Sequence, residues 1–166
     1  MVKVDRKRTV HGIQCTICGL GCTVYKIMSI QDQKPHLHVA AGLIRKDGKL
    51  LITKRPKGSH LEGYWEFPGG KQERGEDLRS CLERELLEEV GLKVRAADAC
   101  LTVFHEYETR LISLHVMECT LLAGEPKALE CEEFRWVDTA ELKDFQFPPP
   151  DIKVIEFLSR PNDHFL

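Results

Sequence analysis

Glutamates crowd one short stretch of this chain. In GKQERGEDLRSCLERELLEEVGL, Glu76, Glu85, Glu88 and Glu89 are set around Arg84. Like charges at i,i+4 on a helix repel by about 0.2–0.5 kcal/mol per pair even when exposed, and partial burial raises that cost. A hard divalent cation with oxygen ligands relieves it. Just before the acids, Pro68-Gly69-Gly70 turns the backbone and leaves carbonyl oxygens close by, and a carbonyl suits the same ion. The chemistry expected here is metal-assisted. A solvated acidic helix face is the competing reading, and it is the commoner one for an isolated Glu-Glu pair. The spacing weakens it. At about 100° per residue, Glu85 shares a face with Glu88 and Glu89, and also with Leu78 and Leu82 before it. The carboxylates thus continue the helix's apolar stripe.

A second constellation lies near the start. His11, Cys15, Cys18 and Cys22 carry ligand types for zinc or an iron–sulfur cluster, but the paired half of a strong zinc motif is missing. An unstructured or dispensable extension over residues 1–35 is the expectation, with Met28 as a candidate natural start. Cys81, on the inward face of the acidic helix, is read as core.

These groups need elements to hold them. From His36 onward the pattern is regular. His38 to Ile44 reads as a strand, Asp47-Gly48 as a hairpin turn, Leu50 to Thr53 as the partner strand, and Trp65 to Phe67 as a short aromatic strand with one of its two aromatics in the core. The acidic helix is expected from about Glu76 to Val90, closed by Gly91. Leu101 to Phe104, Arg110 to Leu122 and Phe134 to Val137 read as strands. Asp138 is expected to cap a brief helix through Leu142, and Asp151 a last one through Leu158. Strands on both sides of a long helix imply an α/β sandwich with a mixed sheet, in a domain over residues 36–166.

Composition sets outer bounds. A length of 166 residues fits one domain with a real core. The net charge of −2 offers no basic footprint for duplex nucleic acid, whereas a free nucleotide fits if a bound metal supplies positive charge. No apolar run approaches the roughly 20 residues that span a bilayer. The basic N-terminus lacks a following apolar region, and seven cysteines without an export signal read as reduced thiols in a cytoplasmic protein.

The stretch from Gly70 to Leu92 resembles the signature of the Nudix hydrolases, G-x5-E-x7-R-E-U-x-E-E-x-G-U with U a bulky aliphatic, at every fixed position. RPKGSHLEGYWEFPGGK before it and FPPPD after it look like the MutT branch. The resemblance covers about residues 36 to 160. It implies an α/β/α sandwich and Mg²⁺-dependent hydrolysis, with Mn²⁺ as the alternative ion. The implied reaction is water attack on the β-phosphorus of a nucleoside triphosphate, which yields a monophosphate and pyrophosphate.

By the same resemblance, Glu85, Glu88 and Glu89 are metal ligands together with the Gly69 carbonyl. Arg84 orients a neighbouring glutamate, and Glu76 is an outer acid. Glu130 binds metal or acts as general base; Glu132 and Glu133 compete for that role. Arg55 and Lys71 match positions that touch the triphosphate, and His60 and Phe67 match pocket walls. Tyr107 either stacks on a base or fills the core, and core is the expectation.

Asp151 matches a position where Asn or Asp meets the base edge. Ionised, Asp only accepts hydrogen bonds, which suits guanine, 8-oxoguanine or the cytosine amino group. The expected activity is removal of 8-oxo-dGTP or a related damaged nucleotide, hence a link to DNA repair. The alternatives are CTP, dCTP or a modified cytosine nucleotide, and a Nudix-fold module that senses a nucleotide without cleaving it. The oligomeric state is left open.

Overall fold

The computed structural model describes residues 13–18, 22–27 and 34–160. The chain divides into two compact units, Met1–Lys34 and Pro35–Leu166. In the first, strands β1 (Ile13–Cys18) and β2 (Cys22–Ile27) pair antiparallel, with Cys18 in register opposite Cys22. This stretch, expected to carry no fold, thus contains a backbone hairpin. The ligand reading of His11, Cys15, Cys18 and Cys22 rests on side chains outside the described residues, and Met28 lies outside them too.

The second unit is built on a mixed sheet. Strand β3 (His36–Lys46) turns through Asp47 and Gly48, both at positive φ, into β4 (Lys49–Lys54). Asp-Gly suits the left-handed conformation that a tight hairpin demands. β4 pairs with β5 (Trp65–Glu66) and β9 (Glu133–Val137). On the other side β3 runs parallel to β8 (Leu111–Ala123), which pairs antiparallel with β7 (Lys93–Glu106). The short β6 (Gly69–Lys71) adds to β3. The strand expected over Leu101 to Phe104 extends to Lys93–Glu106, because sheet pairing carries it on through mixed sequence, whereas the one expected over Arg110 to Leu122 is found within one residue of those bounds.

A helix covers each face. α1 (Leu78–Val90) starts where Asp77 accepts hydrogen bonds from the Arg79 and Ser80 amides, at 2.9 and 3.1 Å, and ends at Gly91 with φ 69°. It therefore begins two residues later than the sequence suggested. α2 (Pro149–Leu158) lies on the opposite face. Alternate residues of the strands feed two cores. Ala40, Ile44, Leu51 and Met117 pack with Leu82, Leu86 and Val90 of α1, whereas Ala41, Leu43, Leu114 and Val116 pack with Val154 of α2. The α/β/α sandwich with a mixed sheet stands as expected. Cys81 is fully buried in the α1 core. Trp65 and Phe67 are both buried, since β5 ends at Glu66 and the strand alternation ends with it. Among the described residues, no helix is long and apolar enough to cross a membrane.

Asp151 is not the cap of α2. The helix starts at Pro149 with Pro148 as its cap residue, which places Asp151 in the first turn. Proline fits there because its missing N–H would have had no partner and its fixed φ is already helical. The Asp151 side chain is released for another contact: it accepts a hydrogen bond from the Phe67 amide at 3.3 Å.

Candidate active site

The sheet delivers Gly69 and Gly70 beneath one flank of α1, where β6 pairs Gly70 with Ala40 and Gly69 with Ala41. Two carboxylates of α1 close onto this strip. Glu89 accepts from the Gly69 amide at 3.0 Å. Glu85 packs so near Gly70 that a β-carbon there would stand 2.2 Å from its carboxyl carbon. Gly70 is thus a cradle shaped for the Glu85 carboxylate. Gly69, at φ 151°, has no room either, since a β-carbon would meet the Ala40 carbonyl oxygen at 2.1 Å.

Arg84 holds the other acids. Its Nε and Nη2 donate to both oxygens of Glu76 at 2.9 and 3.0 Å, while Nη1 donates to Glu85 at 3.0 Å and to Glu88 at 2.9 Å. This forked arrangement needs a guanidinium. Hydrogen bonds from Arg84 hold the Glu76 carboxyl down to about 2. Glu85 goes the other way: burial raises it, aided by the charges of Glu88 and Glu130 and opposed by Arg84. Burial pushes Glu89 up to about 7, with Glu66 and Glu85 adding to the shift.

A cavity of about 450 Å³ opens beside these acids. Glu85, Glu89 and Glu130 line it, with Gly69, Gly70 and Lys71 from the glycine strip. Arg55, His60, Phe67 and Asp151 line it too, so the structure gathers nearly all the expected site residues into one space. Arg84, which holds the acids from behind, and Glu88 are the exceptions. For Glu88 the reason is its exposure. Half of its side chain is exposed, and it lies against Arg84 rather than in the cavity lining. The three loop acids differ in their surroundings. Glu132 pairs with Lys54 and Glu133 with Arg135, whereas Glu130 faces the cavity.

The other end of the cavity holds groups that sequence reasoning missed. Glu66 forms a short ion pair with Arg55, whose Nε also donates to the His60 carbonyl at 2.7 Å. Burial raises Glu66 to about 7 despite Arg55, and the neighbouring Asp151 adds to the effect. Asp151 itself is pushed up to about 7 by burial, against the pull of the Phe67 amide and Arg55. It therefore carries a proton for part of the time near neutrality and can donate as well as accept, unlike the permanently ionised Asp expected. Tyr107 corrects another expectation: it lines the cavity half-buried instead of filling the core, with its ring edge-on to His60 at 5.7 Å. Arg110 joins this wall from just before β8. The turn that brings Tyr107 and Arg110 here is closed by the Tyr107 amide on the Arg110 carbonyl at 2.8 Å, a contact with no marker in residue type.

The acid end suits a hard cation. Its donors are carboxylate and carbonyl oxygens, and burial, which raises Glu85 and Glu89, disfavours their charged forms in a way a cation would relieve. Among the described residues, no three His, Cys, Asp or Glu side chains already converge as a finished cage. A cation here would therefore draw on the Gly69 carbonyl or on groups of its substrate as well.

Comparison with known proteins agrees with this geometry. Residues 39–157 match the NUDIX domain family. The chain is 36% identical over 134 residues to an 8-oxo-dGTP diphosphatase of Haemophilus influenzae, covering 80% of this chain and 98% of that protein. It is 34% identical over 120 residues to a CTP pyrophosphohydrolase of Escherichia coli, covering 72% and 89%. The crystal structure of a MutT protein from Methanosarcina mazei superposes with a TM-score of 0.72 at 26% identity, over 80% of this chain and 99% of that one.

Proposed function

Since the chain belongs to the Nudix hydrolase family, we propose that it cleaves nucleoside triphosphates to a monophosphate and pyrophosphate, with 8-oxo-dGTP or a related damaged nucleotide as substrate. The observation that carries this reading is one cavity of about 450 Å³ whose lining joins an acid end, built on Glu85, Glu89 and Glu130, to aromatic and acidic groups. Glu85, Glu89 and the Gly69 carbonyl would hold Mg²⁺, or Mn²⁺ in its place, with Glu88 entering by release from Arg84 and Glu130 from the facing loop. When bound, such an ion neutralises phosphate oxygens and makes a bound water more acidic.

The chain's own residues do the rest. Arg84 holds the Glu85 carboxylate in position, and Gly70 leaves it room. Arg55 and Lys71 supply cationic donors to the phosphate oxygens. Glu130 accepts a proton from the attacking water at a carboxylate oxygen. Phe67, Tyr107 and His60 wall the base, while Asp151 and Glu66 meet its polar edge.

A cytosine nucleotide is the second reading, favoured by the two acids at the base end, which suit the amino group of cytosine. The reading places the hydrolase in residues 36–166, with an appended leading segment, in the cytoplasm and acting on free nucleotides rather than duplexes. Pyrophosphate release measured as kcat/KM across 8-oxo-dGTP, dGTP, dCTP, CTP and ADP-ribose tests it. A clear preference for 8-oxo-dGTP is expected; a preference for CTP or dCTP selects the second reading, and one for ADP-ribose overturns both. Glu85→Gln is expected to lower turnover by at least about 10²-fold. Unchanged turnover would sink the acid-end assignment.

A further inference from the structure

Glu130 comes from a loop, yet a proton acceptor must be held as closely as the helix acids beside it. That loop joins β8 to β9, and from Gly124 to Glu130 its residues are mostly exposed. Even Leu129, its largest apolar side chain, is 56% exposed. At Cys131 the chain meets the core under α1 again. Burial therefore does little to fix the stretch before Glu130, and backbone hydrogen bonds must do it.

Those bonds go to the open end of α1. The last carbonyls of any helix lack partners within it. Here the Gly91 and Leu92 amides donate to the Leu87 and Leu86 carbonyls, both at 3.1 Å. The carbonyls of Glu89 and Val90 are taken by the loop instead. The Lys127 amide donates to Val90 at 3.0 Å, and the Leu129 and Glu130 amides both donate to Glu89, at 3.1 and 3.2 Å. Beyond Glu130, the Glu132 amide donates to the Lys54 carbonyl at 2.9 Å, and the Lys54 ammonium donates to the Glu132 carboxylate at 2.9 Å. The loop is thus stretched between α1 and the end of β4. It has little slack, since a β-carbon on Gly124 would stand 2.8 Å from the Gly91 carbonyl oxygen. Pro126 stiffens the chain between these contacts. Glu130 sits at the α1 attachment itself. Its amide is bound to the carbonyl of Glu89, whose carboxylate accepts from the Gly69 amide at 3.0 Å. One residue of α1 therefore carries an acid of the site on its side chain and the loop glutamate on its carbonyl.

We propose that the segment from Gly124 to Leu129 is a positioning element for Glu130: by capping the open end of α1, it sets where the Glu130 carboxylate stands relative to Glu85 and Glu89. This role rests on Glu130 being the proton acceptor. Neither Gly124 nor Leu129 lines the cavity, so both act through Glu130. Each backbone bond is modest by itself, and three on one helix end act together.

The test is a double-mutant cycle in kcat on the full chain, with Gly124→Ala and Glu130→Gln at saturating Mg²⁺ and nucleotide. Glu130→Gln alone is expected to lower kcat by about 10²-fold or more. Gly124→Ala alone should lower it by about tenfold or more, with KM within about twofold of native. In the Glu130→Gln background, Gly124→Ala should cost nothing further, because the group it misplaces is already lost. An equal loss in both backgrounds marks a merely structural lesion and overturns the proposal. Native kcat in Gly124→Ala beside a collapsed Glu130→Gln also overturns it, and leaves Glu130 as the base. Native kcat in both variants removes Glu130 from the reaction, and the loop's role with it. If Gly124→Ala does not fold, replacing the Leu129 amide with an ester deletes a donor, keeps every side chain and runs the same cycle. Amide hydrogen exchange reads the cap directly, without metal or substrate. The Lys127, Leu129 and Glu130 amides should be protected in the native chain and lose about tenfold or more of that protection in Gly124→Ala. Unprotected amides in the native chain would be equally fatal.

Discussion

At the scale of single residues, the site depends on atoms that are missing as much as on those present. Gly70 has no β-carbon, and the Glu85 carboxylate occupies that space. Gly70→Ala must push a flexible side-chain end aside, so the fold should survive while Glu85 moves by an ångström or more. A drop in kcat of about 10²-fold with a nearly unchanged melting temperature is expected, from paired steady-state and thermal measurements. Gly69→Ala is different, because its β-carbon would meet backbone rather than a side chain. That variant should lose stability by about 3 kcal/mol or more in denaturant titration. At the base end, burial places Asp151 near 7. The pH profile of kcat/KM should therefore show ionisations close to pH 7, shared with Glu66 and Glu89, of which one is lost in Asp151→Asn so that the profile changes slope there. A profile identical in both proteins would remove Asp151 from base recognition.

At the scale of elements, α1 is the part that must be held to a fraction of an ångström, and both of its ends are pinned. Asp77 caps the first turn through two amides, and Gly91 closes the last in the left-handed region at φ 69°. Replacing Asp77 with Ala should cost about 1 kcal/mol, and Gly91→Ala a similar amount, as read by chemical denaturation. These costs fall on the same helix that carries Arg84, Glu85 and Glu89, so both variants should also lose affinity for Mg²⁺. α2 acts at the other end by a different device. A run of three prolines stiffens its entry and turns Asp151 inward onto the Phe67 amide, which ties the base end to the strip that holds the acids.

At the scale of the whole molecule, the buried acids make stability depend on pH and on the cation together. Glu66, Glu89 and Asp151 all sit near 7 in the folded protein, well above ordinary carboxyl values. Between about pH 4.5 and 7 the folded state therefore binds protons that the unfolded chain has released, and stability falls as pH rises through that window. Glu76 runs the opposite way, its contribution being lost only as pH falls from about 4.5 towards 2. In chelator the melting temperature should be higher at pH 5.5 than at pH 8. Mg²⁺ should restore more stability at pH 8 than at pH 5.5, because it binds the ionised form. A melting temperature that rises with pH in chelator would contradict the burial of these groups.

The one-dimensional pattern sufficed for the acid end and for the sandwich. Arg84, Glu85 and Glu89 stand within two turns of α1, and helical geometry alone brings such neighbours together, with Glu76 joining from just before the cap. Hairpin and cap residues such as Asp47, Gly48, Asp77 and Gly91 act on the backbone next to them, so their effect is local and readable. The base end is different in kind. Glu66, the Tyr107–Arg110 turn and Asp151 come from three separate stretches, and only strand pairing and the docking of α2 bring them to one wall. The raised pKa of Asp151, which lets it donate as well as accept, follows from burial that no local pattern records. The sequence by itself determined the Arg84, Glu85 and Glu89 cluster because its parts are neighbours along one helix. The recognition end was decided by the tertiary structure, because its parts are neighbours only in space.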